Sequence, residues 1–148
     1  MPSQANIRSA SRADIDSIIE LDPIARQELG RRAFIASAVA AGQCWVAAEA
    51  EDASALIGYG VLNQSFFDND FIPLLVVKVS ARRAGVATAI MRTLELQCQG
   101  RKLFTSTNTS NIAMRQLLRR LGFVESGQIE NLDDHDPELV FVKFRSLS

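Results

Sequence analysis

The sequence predicts an α+β fold with about six or seven strands and about four helices in layers. Three observations carry this. Short runs rich in β-branched and aromatic residues, over 5–10, 43–49, 55–62, 71–79, 102–107, 123–129 and 139–144, alternate with stretches of helical period. Two of them, 43–49 and 55–62, flank the polar turn Glu51-Asp52-Ala53-Ser54 and form an antiparallel hairpin. The third observation is the stretch from Leu74 to Met91. The apolar run 71–79 suits a strand buried on both faces, and Val86, Ile90, Leu94 and Cys98 then recur every fourth residue, so a strand turns into a helix. Between them, Gly85 with the small Ala84 and Ala87 leaves the first helical turn bare. Its unpartnered amides, the helix dipole, Arg82, Arg83 and the Thr88 hydroxyl all favour an anion such as phosphate.

A chain of 148 residues, 47% hydrophobic and 22% charged, fits one soluble domain over 1–148. Its net charge of −1 lacks the basic excess that nucleic-acid binding requires, so no nucleic-acid partner is expected. Cys44 and Cys98 are far apart, match no metal-ligand spacing and fall in apolar patterns, which reads as buried thiols in a reducing compartment. The start, Met1-Pro2-Ser3-Gln4, has no charged segment leading into an apolar run, and no stretch has the length of a membrane span. The expectation is a cytoplasmic protein with no membrane partner, either monomer or homodimer.

Taken in order, a strand over 5–10 leads to Ser11-Arg12-Ala13-Asp14, a capping-box-like helix start. Ile15, Ile18, Ile19 and Leu21 give the first helix its apolar face, and Pro23 stops it. A second helix follows over about 26–41. After the hairpin, in which Gly58 and Gly60 weaken the second strand or mark a close approach of the backbone to a ligand, residues 63–70 read as a polar turn with two aromatics. Phe66 and Phe67 either cap the core or line a pocket. Beyond the central helix come a strand over 102–107 and a helix over about 111–121, with Ser110 or Asn108 as caps and Gly122 as terminator. Ile112, Leu117, Leu118 and Leu121 face the sheet; Arg115, Arg119 and Arg120 form a solvated face. Two closing strands bracket an acidic link over 130–138. No internal repeat or low-complexity linker is present.

Arg82-x-x-Gly85-x-Ala87, a few residues after a branched strand, resembles the acyl-CoA-binding signature of the GNAT superfamily of N-acetyltransferases. Asn111 followed by an amphipathic helix and Leu121-Gly122-Phe123 resembles that family's second landmark, and the two stand in the expected order over most of the chain. The resemblance implies a mixed, mostly antiparallel central sheet with splayed central strands, flanked by the helices, and acetyl-CoA as acyl donor; no metal is expected, because one His among scattered carboxylates matches no ligand spacing. The backbone of Leu75, Val76 and Val77 would pair with the pantetheine amides, and the pyrophosphate would rest on the turn formed by Arg82, Arg83, Ala84, Gly85, Val86, Ala87 and Thr88. Asn111 would hold the pantetheine arm, and the arginine run offers an alternative contact for the CoA 3′-phosphate. The acceptor would be a small-molecule amine or a peptide or protein amine, bordered by Phe66, Phe67 and Asn131.

The family's usual helix tyrosine, a hydrogen-bond donor toward the departing sulfur, is here Leu118, which has no donor. Tyr59, Ser106 or a water stands in for it. Phe71 occupies the place of a strand carboxylate found in some members, so an acid from elsewhere or a water chain is needed as the base. The acidic link supplies Asp133, Asp134, His135, Asp136 and Glu138, with Asp133, Asp134 and His135 as the catalytic candidates. The same link also reads as a plain solvated loop. One function class is therefore an amine acetyltransferase, and the other is an idle acyl-CoA-binding sensor or assembly module.

Overall fold

Pro23 stops one helix and starts another. In the computed structural model, which describes residues 6–82 and 85–146, α1 (Ile15–Leu21) ends before the proline as expected. The Asp22 carboxylate then accepts hydrogen bonds from the amides of Ile24 (2.9 Å) and Ala25 (3.3 Å), and Pro23 becomes the first residue of α2 (Pro23–Gln27). The single helix expected over 26–41 is thus two, because Glu28 is extended (φ −119°, ψ 118°) before α3 (Leu29–Ala40) begins. Arg32 seals the break. Its Nε donates to the Ala25 carbonyl and its Nη2 to the Arg26 carbonyl, both at 2.7 Å, satisfying acceptors at the C-terminal end of α2.

The remaining elements are β1 (Asn6–Ser9), β2 (Cys44–Glu49), β3 (Asp52–Phe66), β4 (Asn69–Val77), α4 (Val86–Leu96), β5 (Lys102–Asn108), α5 (Ile112–Arg120), β6 (Val124–Ile129) and β7 (Glu138–Phe144). Hydrogen bonding orders the strands β1-β2-β3-β4-β5-β7-β6, with β4 and β5 parallel and the pairs β1–β2, β2–β3, β5–β7 and β6–β7 antiparallel. This is the mostly antiparallel sheet expected, with five α-helices among the described residues. The chain divides into two compact units, Met1–Leu62 with Leu74–Gln97, and Asn63–Pro73 with Cys98–Ser148.

In the first unit, Ile18, Ile35, Val46, Tyr59 and Val61 are fully buried. Among them lies a buried carboxylate. Asp22 is 1% exposed, and its Oδ2 receives both the Tyr59 hydroxyl (2.5 Å) and Arg31 Nη1 (2.8 Å). Burial alone would raise this carboxyl, but the bonds from Tyr59 and the Ala25 and Ile24 amides, with the Arg31 charge, hold it below its ordinary value. Nearer the surface, Asp14 accepts Arg8 Nη1 at 2.7 Å and the Ser11 amide at 2.8 Å, and the bond from Arg8 above all brings its carboxyl down to about 2. Cys44 is buried as expected, and burial, with the Asp14 charge adding to it, pushes its thiol up to about 12. Cys98 is only half-buried.

Gly58 and Gly60 on β3 serve helix packing, where a ligand had been one expectation. A Cβ at Gly58 would stand 3.0 Å from Ile90 Cδ1 and 3.1 Å from the Val76 carbonyl oxygen; one at Gly60 would stand 2.8 Å from Ile90 Cγ2 and 2.9 Å from Leu94 Cδ1. Val86, Ile90 and Leu94, the predicted stripe, therefore lie directly on bare backbone. Cys98 falls beyond α4.

In the second unit, the loop expected over 63–70 shrinks to a two-residue turn. β3 runs on to Phe66, with Asn63 Oδ1 accepting the Ser65 amide (3.1 Å), and only Phe67 (φ 50°) and Asp68 (φ 64°) turn the chain. Both adopt the left-handed conformation of a tight hairpin turn. β4 is not buried on both faces. Of the residues 69–77 only Asp70 and Ile72 are buried, and Asp70 accepts Gln64 Nε2 (2.9 Å) and the amides of Gln99 (3.0 Å) and Gly100 (2.8 Å). The cap of α5 is Asn111, not Ser110 or Asn108: its Oδ1 accepts the Met114 amide at 3.2 Å. Gly122 (φ 94°) ends α5 as predicted, and the Phe123 amide returns to the Leu118 carbonyl at 2.9 Å. Leu117 and Leu118 are buried, but Ile112, expected to face the sheet, is exposed, and Arg115 is half-buried with its Nη1 on the Thr109 carbonyl (2.9 Å).

Two expectations about stability follow from the first unit. Gly60→Ala should cost about 1–3 kcal/mol through overpacking, whereas Gly30→Ala in α3, where an added Cβ meets nothing within 4 Å, should be neutral or stabilising by up to about 1 kcal/mol. Opposite signs in urea melts of the two variants check this. Asp22→Asn should cost about 3 kcal/mol at pH 7 because it strips Arg31 of its buried counter-charge. A carboxylate with a depressed folded pKa contributes stability above the unfolded value of about 3.9 and loses it as the pH falls through the folded value, so the gap to wild type should narrow in acid. Melts at pH 7 and pH 3 with an unchanged gap would contradict this.

Candidate active site

The first unit carries the strand predicted to pair with the pantetheine of a CoA and the turn and helix start predicted to hold its pyrophosphate. Leu75, Val76 and Val77 are half-buried at the end of β4, and the Lys78 amide pairs back to the Ile57 carbonyl of β3 at 2.8 Å. Arg82 folds back as well: its Nε donates to the Val77 carbonyl at 3.3 Å, occupying one of the backbone acceptors expected to face pantetheine. Arg83 and Ala84 lie outside the described residues. Gly85 (φ 80°) is the residue before α4, it is exposed, and a Cβ added to it meets nothing within 4 Å. Left-handed backbone and open space thus coincide above the first turn of an eleven-residue helix. Val86 is buried and anchors the turn, while Ala87 and Thr88 are half-buried. The amides of this turn have the direction and partial charge to hold a pyrophosphate.

The second unit carries the polar groups expected near an acceptor. The parallel β4–β5 ladder pairs Asp70, Phe71 and Ile72 with Leu103, Phe104 and Thr105. Pro73 follows with no amide hydrogen to offer, and Thr105 Oγ1 donates to the Ile72 carbonyl at 2.8 Å. Phe66 is half-buried and stacks on Phe71 (centroids 5.2 Å apart) and against Phe104 (4.9 Å); Phe67 stands edge-on to it at 5.0 Å and is 84% exposed.

The acidic link is tied to the β5–α5 connection. Asp133 Oδ2 accepts Asn108 Nδ2 (2.9 Å), and the Asp136 carboxylate accepts the Ser110 amide (3.0 Å) and hydroxyl (2.6 Å). Asp134 and His135 are exposed, and Asn131 (φ 72°) and His135 (φ 60°) are the left-handed corners of the link. At the start of β7, Glu138 Oε2 accepts the Ser106 hydroxyl at 2.7 Å. Leu118 is 0% exposed, so the position of the usual tyrosine is core. Tyr59 is also fully buried, and burial together with Asp22 pushes its hydroxyl well above the ordinary tyrosine value, which suits a structural donor. Asn111 sits at the N-terminus of α5 with its side-chain oxygen used as the cap.

Sequence reading missed three carboxylate placements. Asp22 carried a usable signal, since an Asp immediately before a Pro is a cap followed by a first helical residue. Asp70 and the Ser106–Glu138 pair carried none, because each depends on partners brought together only by the sheet.

Residues 12–123 match the acetyltransferase (GNAT) family. The fold agrees with an acetyltransferase of the GNAT family from Bacillus cereus, 30% identical over 97% of this chain and 99% of that one, with a TM-score of 0.87. Two further structures, under 25% identical, share the fold. Ard1 from Thermoplasma volcanium is 19% identical with a TM-score of 0.83, covering 97% of this chain and 99% of that one. NAA60 from Arabidopsis thaliana, solved with a bisubstrate analogue, is 17% identical with a TM-score of 0.79, covering 98% and 100%. No curated protein matches the chain. The chain belongs to the GNAT family of acetyltransferases, whose members are acyl-CoA-dependent transferases.

Leu118 lies in the core, at the position where the resemblance implied a donor, so Leu118→Ala should destabilise by about 2–5 kcal/mol without acting on the acetyl-CoA turn. Thermal melts beside calorimetric titration check it. Loss of activity at unchanged stability and affinity would return a catalytic role to this position.

Proposed function

We propose that the protein is an N-acetyltransferase that moves the acetyl group of acetyl-CoA to a primary amine by direct attack in a ternary complex. The observation that carries the proposal is the turn before α4: Gly85 in left-handed backbone, open space above it and a helix N-terminus behind it, inside the Arg82-x-x-Gly85-x-Ala87 pattern. Such a turn suits the pyrophosphate of a CoA. Family membership supports acyl transfer from CoA as the reaction class.

The reaction asks the protein for an amine freed of its proton, a polarised thioester carbonyl and a tolerable leaving group. A thiol with a pKa of about 8.5 leaves as an anion without a strong acid, so Leu118 is compatible with turnover. That residue also favours a second reading, an acyl-CoA-binding module that does no chemistry.

Calorimetry with acetyl-CoA and CoA, followed by thiol release with spermidine, free amino acids, kanamycin and short peptides with free N-termini, tests both readings. Turnover of any of these amines supports the transferase; binding without turnover supports the module. Gly85→Asp places a carboxylate where the phosphate would lie, and should weaken acetyl-CoA binding at least about 100-fold, beside a loss of stability of only about 1–2 kcal/mol from left-handed backbone at a residue with a Cβ. No binding by the wild type, or unchanged binding by the variant, overturns the assignment of this turn.

A further inference from the structure

Resting on the reading of the protein as an amine acetyltransferase, we infer that Ser106 and Glu138 form the pair that takes the proton from the acceptor amine. The other side chains of the acidic link do not have this role. The inference begins with the alternation of β5. Leu103, Thr105 and Thr107 are buried on one face, and Phe104, Ser106 and Asn108 are half-buried on the other. β7 brings Glu138 opposite Asn108, next along from Ser106, and the Ser106 hydroxyl donates to Glu138 Oε2 at 2.7 Å. A hydroxyl whose hydrogen is committed to a carboxylate turns its lone pairs outward, toward any N–H donor. Glu138 Oε1 has no hydrogen-bond partner among the described residues.

The remaining acids of the link are bonded elsewhere or exposed, Glu130 being held by Gln128. Asp133 is bonded by Asn108 and Asp136 by Ser110, both shaping the β5–α5 connection, while Asp134 and His135 are exposed at the tip of the link. Ser106 also has a distinctive place on its strand. It is the first residue of β5 beyond the ladder with β4, which ends at Ile72 and Thr105, so its backbone is the first not tied to that neighbour. On the same face, two residues back, lies Phe104, joined to Phe66 and Phe71 in a ring stack. Aromatic faces beside a hydroxyl–carboxylate pair suit a cationic amine with an apolar stem.

The step balances as follows. An ammonium proton passes to Ser106 Oγ as the serine proton passes to Glu138, leaving a neutral amine, an intact serine and a carboxylic acid. The amine lone pair forms the C–N bond to the thioester carbonyl, whose π pair moves to oxygen. On collapse the C–S bond breaks and the sulfur leaves with its electron pair. The second amine proton goes to that sulfur, giving the amide and the free thiol, and Glu138 returns its proton to solvent.

The test uses Glu138→Gln and Ser106→Ala in the full chain, with acetyl-CoA and the amine panel above, reading thiol release from pH 6 to pH 10 and acetyl-CoA affinity by calorimetry. At pH 7 Glu138→Gln should lower kcat/KM for the amine about 100-fold or more, and Ser106→Ala about 10-fold or more, with acetyl-CoA affinity unchanged. Both deficits should shrink as the pH rises past the pKa of the amine, because the free amine then needs no base. A deficit that stays constant with pH marks a merely structural contact and overturns the inference, as does wild-type activity in both variants. Loss confined to Asp133→Asn or Asp134→Asn also overturns it. If Glu138→Gln does not fold, Ser106→Ala carries the same pH test alone. A wild type that binds acetyl-CoA but acetylates no amine overturns the transferase reading itself, and the pair with it.

Discussion

The approach of α4 to the bare backbone of β3 is the constraint on which the first unit depends. Ile90 and Leu94 reach into space that only glycine at 58 and 60 leaves open. A helix held at that distance has its first turn fixed as well, because Val86, one residue after Gly85, is part of the same buried stripe. The conformation of the turn is thus a consequence of packing more than a turn away along the helix. The stripe that builds the core also sets where the amides at its head point.

A buried carboxylate performs a comparable service for the helices before the sheet. Asp22 begins α2, accepts a guanidinium from α3 and a phenol from β3, so three elements meet on one pair of oxygens. Apolar side chains of similar size would fill that volume with less desolvation cost. They would not fix the directions of three chain segments at once. The break at Glu28, sealed by Arg32 on the carbonyls of α2, belongs to the same local design.

Much of this was legible in the sequence where the signal is local. The stripe Val86, Ile90, Leu94, the proline stop at Leu21 and the glycine stop after α5 each follow from a period or a backbone restriction within a few residues. The rest depended on distant partners. Asn63, Gln64 and Ser65 read as loop because they are polar, yet they continue β3, with Gln64 held by Asp70 across the hairpin. The run 71–79 read as a doubly buried strand because it is apolar, yet composition does not say what covers a strand, and most of β4 is only half-buried. For the site, the glycine turn was readable from its motif, whereas the pairing of Ser106 with Glu138 joins residues far apart in the chain and carries no pattern of its own.

The hairpin turn at Phe67 and Asp68 has a thermodynamic side. Left-handed backbone costs a residue with a Cβ about 1–2 kcal/mol, a sum that asparagine followed by glycine would largely avoid. Here two such residues accept it in succession, and the first keeps an aromatic ring almost wholly in water. A turn this short has few alternative conformations, so the ring on it is presented rather than tethered, with little orientational entropy left to lose when something lands on it. Strain in the backbone at this corner is exchanged for readiness at the surface.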